Sequence, residues 1–165
     1  MVFYALGCGV KGIGYFADIT SETGEEKFLG ASDIESLWAE IGRTNSDTLA
    51  LAPYLSIGCP IPTRIPSDEV WARALLCGSD HIALIIVNKG HWIGFETKYE
   101  HAWHTPAKDV HVSVPLPRTF LQCAVQEVRD GKFVPAKAFV KGGKAQFDLD
   151  TVDTARAFVI TRKGK

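Results

Sequence analysis

The chain has 165 residues, with 18 Lys and Arg against 19 Asp and Glu for a net charge of -1, and it is 46% hydrophobic with a mean hydropathy of +0.04. Such a composition suits a globular chain with one sizeable core, and its scattered basic residues exclude the electrostatic stripe that nucleic acid requires. The longest apolar run, residues 82–87, is too short to cross a bilayer, and no charged and apolar leader opens the chain, so neither nucleic acid nor membrane is expected as a partner.

Residues 2–17 read as a short strand, a glycine-rich middle and a second aromatic run. Gly7-Cys8-Gly9-Val10-Lys11-Gly12 has the GxGxxG spacing of a dinucleotide-binding turn. That turn needs a helix opening at its third glycine, and Ile13-Gly14-Tyr15-Phe16 is strand-like instead, so the nucleotide reading is set aside. A polar stretch at 20–27 reads as a surface loop. Ser32-Asp33-Ile34-Glu35 has the form of a capping box and predicts a helix start. Ile34, Leu37, Trp38 and Ile41, extended by Leu49 and Ala52 past Gly42, predict its apolar stripe, with Trp38 assigned to core packing and Pro53 to the helix end. Three prolines within residues 56–67 predict an extended connector. The expected division falls there, with 1–66 an N-terminal extension and 67–165 a β-sandwich domain.

Beyond the connector the hydrophobic period changes to two. Residues 70–76 and 81–87 read as strands, the first opening near Trp71, a core assignment, and the second apolar on both faces as a central strand would be. Val110, Val112, Val114 and Leu116 alternate with His111, Ser113 and Pro115, the pattern of a half-buried strand. Runs at 120–128 and 133–140 flank Arg129-Asp130-Gly131-Lys132, whose Asp-Gly pair suits a type I′ hairpin turn. Lys141-Gly142-Gly143-Lys144 makes another turn into 145–149, and 155–161 closes the set. The predicted fold is mainly β, an antiparallel β-sandwich of seven to eight strands with the N-terminal strand and helix extension packed on it.

Chemistry-bearing clusters are sparse. Cys8, Cys59, Cys77 and Cys123 lack any CxxC pair, which removes zinc-ribbon and thioredoxin spacing, and Cys77 and Cys123 are expected as small buried hydrophobes. His91, His101, His104 and His111 share one window, yet His101 and His104 would meet a metal only on a helical turn and have no third ligand beside them, so no metal or cofactor is expected. Asp148, Asp150 and Asp153 resemble part of a calcium loop without its glycine or glutamate, and read as turn residues. Nothing selects a catalytic pair among Asp18, Glu22, Glu96, Glu100 and Asp109, and no nucleophile-and-base signature is present, so a non-enzyme is expected.

The aromatic residues say more. From Trp92 to Tyr99, strand alternation sets Trp92 with Glu96 and Lys98, opposite Ile93, Phe95 and Tyr99; a tryptophan on a charged face is expected to be exposed, with partial core burial as the competing reading. Trp103 follows in a loop-like stretch with His101 and His104. Flat rings beside hydrogen-bonding side chains are what a sugar-binding face needs. The candidate carbohydrate-binding residues are Trp92, Trp103, Tyr99, His101, His104 and Glu96.

The segment YALGCGVKGIGYF from Tyr4 to Phe16 is similar to the last barrel strand of TIM-barrel glycoside hydrolases, where a helix end runs into a GxKGIxYF-like strand. Leu37-Trp38-Ala39-Glu40-Ile41-Gly42-Arg43-Thr44-Asn45 and Leu51-Ala52-Pro53-Tyr54-Leu55 are similar to the final barrel helix and its exit, and the strands after Val70 to the all-β domain that commonly follows. The chain thus resembles the C-terminal region of such an enzyme. A whole barrel takes about 250 residues, and the acid and nucleophile of its earlier strands have no positions here, so no catalytic residue carries over. The resemblance implies a noncatalytic carbohydrate-binding module for plant-type polysaccharide of the β-glucan or xylan class, covalently linked to a catalytic domain and secreted with it. Its alternative is a structural domain that braces the barrel without a ligand; a small enzyme using carboxylates of 18–26 and 96–109 is a third possibility. Ile34, Leu37, Trp38 and Ile41 are expected to cover the sandwich.

Overall fold

A computed structural model describes residues 2–14, 21–23, 26–28, 34–65, 68–93, 102–120 and 122–163. Helix α1 (Val2–Gly7), strands β1 (Ser21–Thr23) and β2 (Glu26–Phe28), and the long helix α2 (Glu35–Leu55) precede β3 (Gly58–Ile61). Then come β4 (Val70–Cys77), β5 (His81–Asn88), β6 (His91–Ile93), β7 (Ala102–His104), β8 (Ala107–Pro115) and β9 (Cys123–Arg129). The chain closes with β10 (Lys132–Pro135), β11 (Phe139–Lys141), β12 (Lys144–Val152) and β13 (Ala155–Arg162).

The expected mainly β antiparallel sandwich is present. A six-stranded sheet of order β10-β9-β13-β5-β4-β3 packs against a three-stranded sheet of order β11-β12-β8. Between them lie Val70, Ile82, Leu84, Ile86, Phe158 and Ile160 from the larger sheet and Val110, Val112, Val114, Phe147 and Leu149 from the smaller. A second core forms where Leu75, Ala83, Ile85 and Val159 meet Phe3, Leu6, Leu51 and Leu55 of the two helices. Because successive strand side chains point to opposite faces, β5 feeds both cores, and five of its residues in a row, 82–86, are buried. This is the central strand that the two-sided apolar run predicts.

The turns obey their residues. Asp130 and Gly131 take φ of 50° and 73°, and Gly142 and Gly143 take 58° and 71°, as two-residue hairpin turns of type I′ require. The runs expected at 120–128 and 133–140 are narrower: β9 starts at Cys123, and the second run divides into β10 and β11, which belong to different sheets. Pro135 is the last residue in register with β9, and Ala136 makes one further backbone bond, from its N–H to the Val125 carbonyl at 3.0 Å, before the chain crosses to the other sheet.

Several expectations for the N-terminal region fail for physical reasons. Residues 2–7 are a helix, not a strand, because Phe3, Leu6 and Gly7 at helical spacing bury one face. A Cβ on Gly7 would stand 2.6 Å from the Trp71 ring, so glycine lets the helix sit on that indole, whose ring lies 4.4 Å from that of Tyr4. The GxGxxG segment therefore follows on from a helix, and among the described residues none opens at Gly12 to Gly14. The polar stretch at 20–27 holds the paired strands β1 and β2, since polarity sets solvent preference and leaves backbone pairing open. The 56–67 connector contains β3, whose Pro60 is tolerated because the strand is at a sheet edge.

Helix α2 starts at Glu35 with Ile34 as an extended N-cap that makes no side-chain cap bond; Ser32 and Asp33 of the capping box lie outside the described residues. It passes Gly42 and ends at Leu55, two residues beyond Pro53. Lys11 donates from Nζ to the carbonyls of Leu55 at 2.5 Å and Gly58 at 2.7 Å, placing a cation where the helix dipole is negative. The buried face is not the expected stripe. Thr44, Asp47, Leu51 and Leu55 are buried, whereas Ile34, Leu37, Trp38 and Leu49 are exposed, Trp38 by 52% and Leu49 by 76%, and Ile41 is half-buried. At about 100° per residue the buried face lies roughly 90° round the helix from the expected stripe, and its buried residues run from Thr44 to Leu55, so the C-terminal half of α2 is what reaches the sheet. Trp38 is not a core residue.

Candidate functional site

The sequence-predicted sugar-binding segment is described in part. Strands β6 and β7 pair antiparallel, with Trp92 opposite Trp103 and His91 opposite His104 in the backbone register. The stretch around Trp103 is thus a strand rather than a loop, and its extended backbone removes the helical turn that a His101 and His104 metal pair needs. Tyr99, His101 and Glu96 lie outside the described residues, as do Asp18 and Glu100. Among the described residues no three metal-ligating side chains converge.

Sequence reasoning missed the residue that anchors this hairpin. Asn88, buried at the end of β5, donates from Nδ2 to the carbonyls of Thr105 and Asp153, both at 2.7 Å, and accepts the Gly90 N–H at Oδ1 at 2.7 Å. Both strands of the excursion are thereby tied to the turn between β12 and β13. A Cβ at Gly90 would come within 2.7 Å of the Thr105 carbonyl oxygen, which explains glycine there.

A second candidate surface lies on the open face of the three-stranded sheet. Alternation along β12 buries Ala145, Phe147 and Leu149 and turns Lys144, Gln146 and Asp148 outward. Register then lines up Phe139, Gln146 and Ser113 across β11, β12 and β8, and the row continues to Arg64, which exchanges backbone hydrogen bonds with Ser113 at 3.0 and 3.1 Å. Phe139 is 64% exposed. In the next row, the cross-strand partners His111 and Asp148 meet at 2.6 Å; a carboxylate only accepts, so His111 donates from Nδ1. Arg64, His111, Ser113, Lys144, Gln146 and Asp148 line a shallow groove of about 370 Å³ here. Asp148 and Asp150 accordingly lie on a strand; of the three aspartates only Asp153 is at a turn.

A second cluster, beside α2, is structural. Glu127 is buried on β9, accepts two hydrogen bonds from Arg156 at 2.6 and 2.8 Å, and pairs with Arg129. Burial pushes its carboxyl up, but the hydrogen bonds and charges of Arg156 and Arg129 outweigh this and hold it below the usual carboxylate range. All four cysteines are free thiols; Cys77 is buried as expected, and burial raises its thiol, as it does that of half-buried Cys123.

No protein-family model matches the chain, and no curated protein matches it. Among solved structures it is similar to α-L-fucosidase isoenzyme 2 from Paenibacillus thiaminolyticus, at 13% identity and a TM-score of 0.48 over 63% of this chain. It is also similar to a cycloisomaltooligosaccharide glucanotransferase of Paenibacillus sp. solved in complex with cycloisomaltoheptaose, at 10% identity and a TM-score of 0.56 over 79% of this chain. The chain spans 16% of the first enzyme and 21% of the second. At such identity the likeness is one of fold: 79% of the chain resembles a minor part, 21%, of a much larger glucanotransferase.

Proposed function

We propose that this chain is a noncatalytic carbohydrate-binding accessory domain, holding plant-type polysaccharide of the β-glucan or xylan class beside a covalently linked catalytic unit in a secreted protein. The observation that carries this reading is the open face, where exposed Phe139 stands in one cross-strand row with Gln146, Ser113 and Arg64, next to the His111–Asp148 pair. An aromatic ring offers a stacking surface to the C–H face of a pyranose, and the neighbouring amide, hydroxyl and charged groups suit its hydroxyls. Likeness in fold to a minor part of a glucanotransferase supports the accessory role. The proposal extends to the β6–β7 ladder, where Trp92 and Trp103 are backbone partners, with Tyr99, His101, His104 and Glu96 as further candidates on the ground of sequence alone.

Affinity electrophoresis in gels containing xylan, mixed-linkage glucan or mannan tests the reading. Retardation by at least one of them is expected, with Phe139→Ala, Trp92→Ala or Trp103→Ala weakening binding by about 1–3 kcal/mol where the ring is an anchor. Unretarded migration across a broad polysaccharide panel removes it.

The exposed Ile34, Leu37 and Trp38 favour a second reading, a structural domain that braces its catalytic neighbour through α2. Under it, charged replacements at Leu37 and Trp38 loosen the neighbour in the parent protein and leave glycan binding alone.

A further inference from the structure

We infer that the open face of the three-stranded sheet takes an acidic glycan, one whose sugar carboxylates meet Arg64 and Lys144 while a pyranose ring lies on Phe139. This rests on the carbohydrate-binding reading and narrows it to polysaccharides bearing uronate groups, such as a xylan with glucuronate branches.

The charge distribution on this face carries the argument. The groove contributes Arg64 and Lys144 as cations against a single carboxylate, Asp148, and that carboxylate is already engaged by His111 at 2.6 Å. Lys141 stands directly opposite Lys144 across the tight Gly142-Gly143 turn, adding a second ammonium at the same end of the sheet. Like charges in a cross-strand pair are mutually unfavourable. A bound anion converts that repulsion into attraction, whereas a neutral sugar leaves it in place. The excess belongs to the groove and the adjoining turn, since Asp150 stands outward farther along β12 and the whole chain has a net charge of -1.

Geometry fits a chain rather than a single sugar. From Phe139 to Arg64 the row spans three strand spacings of about 4.8 Å, or about 14 Å, which is longer than one pyranose. Arg64 is held at the far end by its paired backbone bonds to Ser113, so its guanidinium starts from a fixed point. A planar guanidinium matches a carboxylate with two parallel hydrogen bonds, and an ammonium adds charge without that directionality. The ring platform, hydrogen-bonding centre and cationic ends thus lie on one continuous face.

The test uses the full chain in affinity electrophoresis and isothermal titration against glucuronoxylan and polygalacturonate, each alongside its carboxyl-reduced form. Binding to at least one acidic polymer is expected, weakening about tenfold or more on carboxyl reduction and falling as salt is raised. Arg64→Gln with Lys144→Gln should reproduce that loss, and Phe139→Ala should weaken binding to both forms. These positions are exposed, and circular dichroism with an unchanged thermal midpoint verifies that the variants fold. Equal binding of native and carboxyl-reduced polymers overturns the acidic specificity while leaving the carbohydrate reading standing. Acid-dependent binding that ignores Arg64→Gln and Lys144→Gln overturns the assignment to this face. Absence of binding to acidic and neutral polymers alike overturns both.

Discussion

Asp47, buried on α2, accepts the backbone N–H of Gly131 at 2.7 Å, fastening the helix to the tip of the β9–β10 hairpin. Its other oxygen faces Arg43 at 3.4 Å. One carboxylate thus binds a turn whose geometry was set by Asp130 and Gly131 to a helix far away in sequence. Asp47→Ala leaves the turn N–H without its acceptor and should destabilise the chain by about 1–3 kcal/mol. Asp47→Asn keeps an acceptor oxygen and should cost less. Urea unfolding with an unchanged m-value checks both.

Gly7 is a contact glycine. Its ideal Cβ would lie 2.6 and 2.7 Å from Cη2 and Cζ3 of Trp71, so Gly7→Ala must displace either the indole or α1. A loss of about 1–3 kcal/mol is expected from overpacking, even though alanine is the better helix former. Fluorescence of Trp71 should shift with it, and a stabilised variant would contradict the packing described.

Glu127 contributes to the response to acid. Its folded carboxyl lies below the usual range, so it contributes stability that is fully present above the ordinary glutamate range and is lost as pH falls through the lower folded value. The wild type should therefore lose urea resistance as pH falls below the ordinary glutamate range. Glu127→Gln should be less stable at neutral pH and should show a flatter decline across that window.

The N-terminal half of α2 offers the opposite expectation. Leu37 and Trp38 are 43% and 52% exposed, so Leu37→Glu and Trp38→Glu should change the unfolding free energy by no more than about 0.5 kcal/mol. Both should lower the binding of an apolar dye. A large destabilisation would mean that this face is covered within the chain.

Legibility in the sequence followed the range of the interactions. The alternation of β8, the two-sided run of β5 and the Asp130-Gly131 turn are decided by neighbours in sequence, and each is found where its pattern places it. Helix α1 is fixed by Trp71, a distant partner, and the β-prone Val2, Phe3 and Tyr4 mask the helical spacing of Phe3 and Leu6 in a local reading. On α2 the strongest apolar stripe is not the buried one, because Thr44 and Asp47 share the docked face with Leu51 and Leu55. The row from Phe139 to Arg64 draws on separate strands whose register no local pattern encodes. Only the outward polarity of Gln146 and Asp148 between Ala145, Phe147 and Leu149 was there to be read.

The double duty of β5 has a bearing on how the protein comes apart. Ile82, Leu84 and Ile86 serve one apolar layer, while Ala83 and Ile85 serve the other. Peeling α2 away would wet Ile85 on the same strand that carries Leu84 into the other layer, and Val159 beside Phe158 on β13. Helices and sandwich should therefore melt as one cooperative unit, with amides near Leu51 and near Phe147 exchanging through a common global opening.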